Sequence, residues 1–403
     1  MAAGQASARG ADVILFERKS KPARKLGISG KGRCNLTNEA PLDEFIARFG
    51  ANGKFLRASF HSFFSDELIE FFNEKGVKFD FERGGRVFPV SDAAGEIVNA
   101  LIKWVKGNGV RILTDARVKE LILKNNGIAG IRYAEEKGES ILKDFFADRA
   151  IIATGGASYP ATGSTGDGYK LAESAGHSVI PIRPALVPLE TKGDIARRLQ
   201  GLSVKNVKLR ISAGGKKVGE IFGEMLFTHF GVSGPIVLSI SKTVVDLLNE
   251  NRKVKLVLDL KPALDEKKLD NRLLRDLNAQ GNKKFKTVLK MLLPQKLIPV
   301  CIEITRIPAD NLCNQIGSAE RKRLRLWLKN FELEVIGYRT FNEAIITAGG
   351  VNLKEVNPKT MESRLIKNLY FAGEVLDIDA DTGGFNLQAA FSTGYLAGIS
   401  AAK

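Results

Sequence analysis

A chain of 403 residues, 44% of them hydrophobic and with a formal charge of +16, has material for two or three domains with substantial cores. Three cysteines (Cys34, Cys301, Cys313) with no CxxC pair exclude a disulfide framework and dithiol chemistry; three histidines (His61, His177, His229) without metal-ligand spacing exclude a dedicated zinc or iron site, so redox chemistry falls to an organic cofactor. No apolar run reaches the roughly 18 residues of a membrane span and the N-terminus lacks the order of a secretory signal, so a cytoplasmic protein with no membrane partner is expected.

In chain order, Ala2 to Ala8 reads as a small-residue helix, Arg9-Gly10 as a turn, and Val13 to Phe16 as a buried strand closed by Glu17. Helix, turn, strand and acid are the later part of a βαβ nucleotide-binding unit, in which the acid accepts hydrogen bonds from an adenosine ribose. The first strand and glycine turn of such a unit come earlier, so about fifteen residues are expected to be missing ahead of Met1, a unit spanning ~30 residues. Residues 55–75 carry apolar positions at helical spacing, with Ser65-Asp66 as a start signal and Gly76 closing the segment, and read as a helix packed on the core. Short strands follow at 77–81 and 87–90, a helix at 93–106, and strands at 110–113, 116–123, 127–133 and 141–146. The run 149–156 reads as a buried strand stopping at Gly155-Gly156.

Between Pro188 and Asn342 the character changes to strand-like pieces (204–212, 217–222, 254–260) around a helical block, 265–331. Prolines before it and the TAGGV text after it mark an inserted domain, 189–342, with a helical subdomain at about 263–332; residues 1–188 and 343–403 form the nucleotide-binding domain. Residues 261–330 hold sixteen Lys and Arg against seven Asp and Glu. On helices such an excess reads as a solvated face, and no RNP, KH or helix-turn-helix pattern argues for nucleic acid.

Three constellations can carry chemistry. Residues 27–38 form a glycine-punctuated polar loop in which Gly30, Gly32 and Asn35 can present backbone N–H groups to an anion and Arg33 adds a charged donor. Composition alone leaves an ordinary surface loop equally open, and Cys34 reads as a buried small side chain. Ala153, Thr154, Gly155 and Gly156 end a strand where the lack of Cβ lets a backbone or flat ring approach. The following GSTGDG has the wrong spacing for a dinucleotide turn and reads as a stabilising loop. Finally, the strand at 368–372 ends in Gly373-Glu374; Gly383, Gly384, Phe385, Asn386 and Leu387 then lead into a small-residue helix at 389–402, whose positive end favours an electron-rich ligand oxygen. Strand end, acid, glycine pair and helix N-terminus together make a site.

These elements, with SGKGRCNLTN at 29–38, ATGGASYPATGSTGDGY at 153–169, FTHFGVSGP at 227–235, TAGGV at 347–351 and FAGEVLDIDADTGGFNLQAAFSTGYLAG at 371–398, resemble the BaiN-like (YhiN-like) NAD(P)/FAD-dependent oxidoreductases, of the glutathione-reductase structural class, over essentially the whole chain. The resemblance implies an α/β fold, a two-dinucleotide-binding FAD domain with an inserted β-barrel-like domain and helical subdomain. It implies that Glu17 holds the adenosine ribose and that Gly30 to Asn35 pass along the pyrophosphate. Val118 would contact adenine through its backbone, and Ala153 to Gly156 would lie against the dinucleotide. Glu374 would meet the ribityl chain or a phosphate through water, and residues 383–388 would place N–H groups at the flavin pyrimidine edge.

The expected activity is therefore two-electron transfer between a small organic substrate and NAD(P) or dioxygen, with FAD as cofactor. No catalytic side chain is assigned; His229 is the histidine to test near substrate, although nothing in the sequence pairs it with an acid. Two other readings stand beside this one: a basic RNA-associated protein on a flavoprotein scaffold, and a flavoprotein lacking its first strand and without activity. Oligomeric state is not written in the sequence.

Overall fold

The computed structural model describes residues 1–135 and 141–403. The chain divides into two compact units, Met1–Pro184 with Phe341–Lys403, and Ala185–Thr340.

In the first unit, Ile14–Phe16 pairs in parallel with Arg111–Leu113, and Ala150–Ile152 in parallel with Leu369–Phe371. Parallel partners need crossovers. The amphipathic helix Ala94–Gly107, which buries Ile97 and Val105, runs directly into one of these strands. Ala116–Lys124, Gly127–Glu135 and Leu142–Phe146 form an antiparallel meander. Its first turn is Asn125-Asn126, both left-handed (φ 51° and 57°), the backbone that suits a two-residue hairpin loop. The C-terminal helix Phe385–Ala401 buries its small residues almost all round. A Cβ on Gly398 would sit 2.4 Å from the Ala2 carbonyl oxygen, so glycine is what lets Ala2–Ser7 pack against this helix.

The single helix expected over 55–75 is two, Arg57–Ser62 and Ser65–Asn73, broken at Phe63 and Phe64. The Phe63 carbonyl accepts from Ser392 Oγ (2.6 Å) and Gln388 Nε2 (3.3 Å), and the Phe64 N–H donates to Glu67 Oε2 (3.0 Å). Side chains thus satisfy the groups that a continuous helix would have used. The C-terminal helix also starts four residues before the expected Ala389, directly after Gly384.

The second unit is a closed six-stranded barrel, in the order Leu189–Thr191, Gly231–Ser233, Lys216–Phe227, Ser203–Ala213, Val254–Asp259, Phe331–Tyr338. The helix Pro235–Asn249 buries Ile236, Val237, Ile240 and Val244 in the same core. The block expected at 265–331 resolves into Glu266–Ala279, Phe285–Leu292, Leu297–Thr305 and Ser318–Lys329. Gly281, Pro294, Pro308 and Gly317 fall in the breaks between them. Among the described residues no helix is long and apolar enough to cross a membrane.

Candidate functional site

The loops at the ends of the parallel strands of the first unit bring together most of the residues singled out above. Glu17 follows its strand directly; its Oε1 accepts from the Lys19 N–H at 2.8 Å, and burial pushes its carboxyl above the usual range. Beside it, Gly163 is left-handed (φ 114°), and a Cβ there would lie 3.7 Å from Glu17 Oε1. Asp167, at the start of the helix Asp167–Ser174, accepts bidentate bonds from Arg117 (2.7 and 2.9 Å) and one from Arg18 (2.9 Å). Although burial opposes it, Arg117 and Arg18 hold the Asp167 carboxyl below its usual value. Val118 lies next to Arg117, and the register with Tyr133 shifts between Val118 and Glu120, a bulge that frees backbone groups from the ladder.

Glu374 is the centre of a polar knot. Its Oε2 pairs with Lys25 Nζ at 2.6 Å, and its Oε1 accepts from the Thr347 N–H at 2.7 Å and Ser158 Oγ at 3.2 Å. Lys25 also reaches Ser158 Oγ at 2.6 Å, and Thr347 Oγ1 accepts from the N–H groups of Ala157 and Ser158. Ala153 and Thr154 are exposed, Gly155 is left-handed (φ 72°) and Gly156 is buried. A Cβ on Gly156 would fall 2.4 Å from Thr347 Oγ1, so that glycine is demanded by the knot itself. Gly373, also left-handed at φ 75°, makes the bend that presents Glu374, and its N–H donates to Thr393 Oγ1 at 2.9 Å.

The 29–38 loop meets the C-terminal glycine pair. Asn38 Nδ2 donates to the Gly383 carbonyl (2.9 Å), and Thr37 Oγ1 to Gln388 Oε1 (2.6 Å). Gly383 and Gly384 are left-handed (φ 137° and 99°), and a Cβ on Gly384 would lie 2.2 Å from the Thr37 carbonyl oxygen. Phe385 then opens the helix with its ring edge-on to Phe45 (4.6 Å), and half-buried Leu387 packs beside Cys34 and Leu36. Asn386 ties down the preceding loop, exchanging bonds with the Ala380 N–H and carbonyl at 2.9 Å. Within the loop Gly30 (φ 57°) and Gly32 (φ 87°) are left-handed. Burial raises the Cys34 thiol to about 11, so it is a neutral packing group.

Two further candidates from the sequence are Arg33 and His229. Arg33 turns to Glu82 and Asp92, both within 2.7 Å, and covers the Phe88 ring. Its charge is thus answered by two carboxylates; the N–H groups of Arg33, Cys34 and Leu36 are bonded to carbonyls, so exposed Lys31 and the remaining loop N–H groups are its candidate anion donors. His229 belongs to the other unit, exposed in the turn before Gly231–Ser233 and edge-on to Phe230.

FAD fits these residues on three observations. Asn35 Oδ1 is buried without a hydrogen-bond partner, an acceptor awaiting a donor. Glu17 is a desolvated carboxyl without an ion pair among the described residues, suited to ribose hydroxyls. The first N–H groups of Phe385–Ala401 have no intrahelical partner. Lys25, Ser158, Thr347, Arg117 and Asp167 were not singled out from sequence. Their partners lie tens to hundreds of residues away, and only Ser158, Asp167 and Thr347, in glycine-rich text, carried a local signal.

The sequence matches the HI0933-like protein Rossmann domain family over residues 1–400. It is 34% identical over 393 residues to a 3-dehydro-bile acid delta(4,6)-reductase of Clostridium scindens, covering 98% of this chain and 93% of that protein. It is 31% identical over 401 residues to a ribosomal RNA dihydrouridine synthase of Escherichia coli, covering 98% and 92%. Among solved structures, a 3-ketosteroid delta1-dehydrogenase from Sterolibacterium denitrificans superposes with a TM-score of 0.53 at 13% identity, over 100% of this chain and 96% of that one, a likeness of fold.

Proposed function

The chain belongs to the HI0933-like Rossmann family and is an oxidoreductase with an FAD-binding fold, and from that premise we propose that it reduces a carbon–carbon double bond conjugated with a carbonyl, at the expense of NAD(P)H, in a uracil ring of ribosomal RNA. The reaction class draws support from both named relatives. The Δ(4,6) bonds of a 3-oxo bile acid and the C5–C6 bond of uracil are alkenes polarised by a carbonyl. Each takes hydride at the carbon remote from the carbonyl and a proton at the carbon beside it; the nicotinamide loses the two electrons that the alkene gains. Bound FAD supplies the hydride chemistry between two substrates that need not meet.

The chain's own residues then bind and orient. Glu17 would take the ribose hydroxyls, Gly155 and Gly156 would leave room for the dinucleotide, and the Lys25–Glu374–Ser158 knot would fix the loop beneath it. The N-terminus of Phe385–Ala401 would stabilise negative charge developing nearby.

The observation that carries the choice of RNA is charge. Ala185–Thr340 holds 29 Lys and Arg against 16 Asp and Glu, whereas the rest of the chain holds 32 against 29. The sequence alone reads that excess as a solvated face; its confinement to one unit, beside a relative that acts on ribosomal RNA, supports a polyphosphate ligand over a small neutral or monoanionic one. A bile-acid-like enone is the second reading, favoured by the 34% relative.

The test incubates flavin-loaded protein and NAD(P)H with unmodified ribosomal RNA, followed by nucleoside mass spectrometry. A gain of two hydrogens on a uridine is expected. Unchanged RNA together with reduction of a 3-oxo-4,6-diene bile acid would establish the second reading, and oxygen consumption without alkene reduction would make the protein an oxidase.

A further inference from the structure

The charge of the second unit is unevenly answered. On Glu266–Ala279 and Ser318–Lys329 the guanidinium groups meet acids: Arg321 with Asp270 (3.0 Å), Arg325 with Asp270 (3.5 Å) and Glu266 (3.7 Å), Arg272 with Asp276 (3.4 Å). The short helix Phe285–Leu292 is different. Phe285, Val288, Leu289 and Leu292 are buried, which turns Lys286 and Lys290 outward, and Lys283 is exposed in the bend that leads into the helix. Lys284 adds a fourth ammonium. Among the described residues one carboxylate, Asp310, pairs with this group, at 2.9 Å from Lys284 and 3.3 Å from Lys286. Among the described residues Lys283 and Lys290 are exposed and have no ion pair.

We propose that this face, Lys283, Lys286 and Lys290 with Lys284 beside them, is where the phosphate backbone of structured RNA docks. Four ammonium groups against one carboxylate repel one another in the free protein, and at the ~8 Å screening length of physiological salt that repulsion persists between neighbouring side chains. A line of phosphates relieves it and releases its own condensed counterions. Exposed Asn282 and Asn314 border the strip and can bond sugar or phosphate oxygens. The helix stands on a closed apolar core, so the lysine stems start from fixed positions. Lysine without an aromatic platform gives docking without base readout, so the face positions RNA and does not select its sequence.

The proposal rests on the RNA reading above, and the experiment separates the two. Binding of ribosomal RNA transcribed in vitro is measured against salt for the wild-type protein, for the triple variant Lys283→Gln, Lys286→Gln, Lys290→Gln, and for a control triple of exposed lysines outside the helical block, Lys205→Gln, Lys216→Gln, Lys253→Gln. Flavin absorbance and thermal unfolding confirm that each protein is folded. Three lost phosphate contacts should make the slope of log affinity against log salt shallower by about 2 to 3 and weaken binding at least about tenfold at moderate salt, with the control triple near wild type. Equal losses in both triples, or none in the first, would overturn the docking face while leaving an RNA substrate standing. A wild-type protein that binds anionic phospholipid vesicles as tightly as RNA, or binds no RNA, would overturn both.

Discussion

The two units solve different problems with different residues. The first is nearly balanced in charge and holds 29 of the 40 glycines, many left-handed at loop ends, with its polar side chains drawn into buried or half-buried knots. The second is a closed barrel with an apolar core, few glycines and most of the excess positive charge on its surface. In the first, specificity lies in where the backbone can go; in the second, in what the exterior carries. A substitution should therefore be felt through backbone clearance in the former and through charge or core volume in the latter.

The largest effect is expected where clearance is least. Gly384→Ala puts a Cβ 2.2 Å from the Thr37 carbonyl oxygen at φ 99°. It should cost about 3 kcal/mol or more, read as a fall in Tm together with loss of flavin absorbance from the folded protein. Gly231→Ala, whose Cβ would meet the Leu189 carbonyl oxygen at 2.1 Å, should lower Tm comparably but leave flavin per folded molecule unchanged. Flavin loss in both would erase the distinction between the units.

Next in size is the knot. Lys25→Met leaves the half-buried Glu374 carboxylate without its cation, at a cost of about 2 kcal/mol in chemical denaturation and a faster release of flavin. Ser158→Ala should cost less, about 1 kcal/mol, because Glu374 keeps the Thr347 N–H and Lys25.

A smaller, pH-dependent effect belongs to His177. Its ring is buried, bonded through Nε2 to Ser363 Oγ at 2.8 Å, with Glu355 Oε2 3.2 Å from Nδ1. Burial lowers its pKa in spite of Glu355, so the unfolded chain binds the proton first as pH falls. Stability is thus full above the unfolded value of roughly 6.5 and declines as pH drops through the lower folded value. Glu355, held below the usual carboxylate range by Ser178 and His177 against the cost of burial, adds an acid-side loss of its own. His177→Gln should flatten the upper part of that decline in unfolding measured against pH; an unchanged curve would show that His177 does not titrate on unfolding. Smallest of all, His229→Gln at its exposed turn should move stability by no more than about 0.5 kcal/mol. A large loss of substrate turnover from it would give the barrel unit a chemical role as well as a charged surface.

Much of the first unit was legible because its signals are local. An apolar run ending in Glu17, a strand stopping at Gly155-Gly156 and a helix entered through Gly383-Gly384 each occupy a few consecutive residues. The knot around Glu374 was not, because Lys25 is 349 residues distant and nothing near Lys25 distinguishes it from the other cations of its run. The break at Phe63 depends on hydroxyl and amide groups 325 and 329 residues away, which override a sound helical periodicity. In the second unit three of the long strands were readable, but Phe331–Tyr338 was not, and the barrel is closed through Leu189–Thr191 and Gly231–Ser233, too short to show alternation. The helix Pro235–Asn249 was not read from the sequence: Ile236, Val237, Ile240, Val244 and Val245 lie at helical spacing, but a run so rich in β-branched residues suits a strand as well.

Closure of the barrel has a consequence for behaviour at high concentration. Every strand in it has two neighbours, so the basic unit has no strand rim on which a second molecule could add by backbone pairing. The first unit does have such a rim: Leu142–Phe146 is bonded on one side, to Gly127–Glu135, and carries Phe146 at 71% exposure. Backbone pairing of a second molecule is open there, as it is at Phe79–Glu82, and a lysine in place of Phe146 should lower association through this rim without touching the barrel.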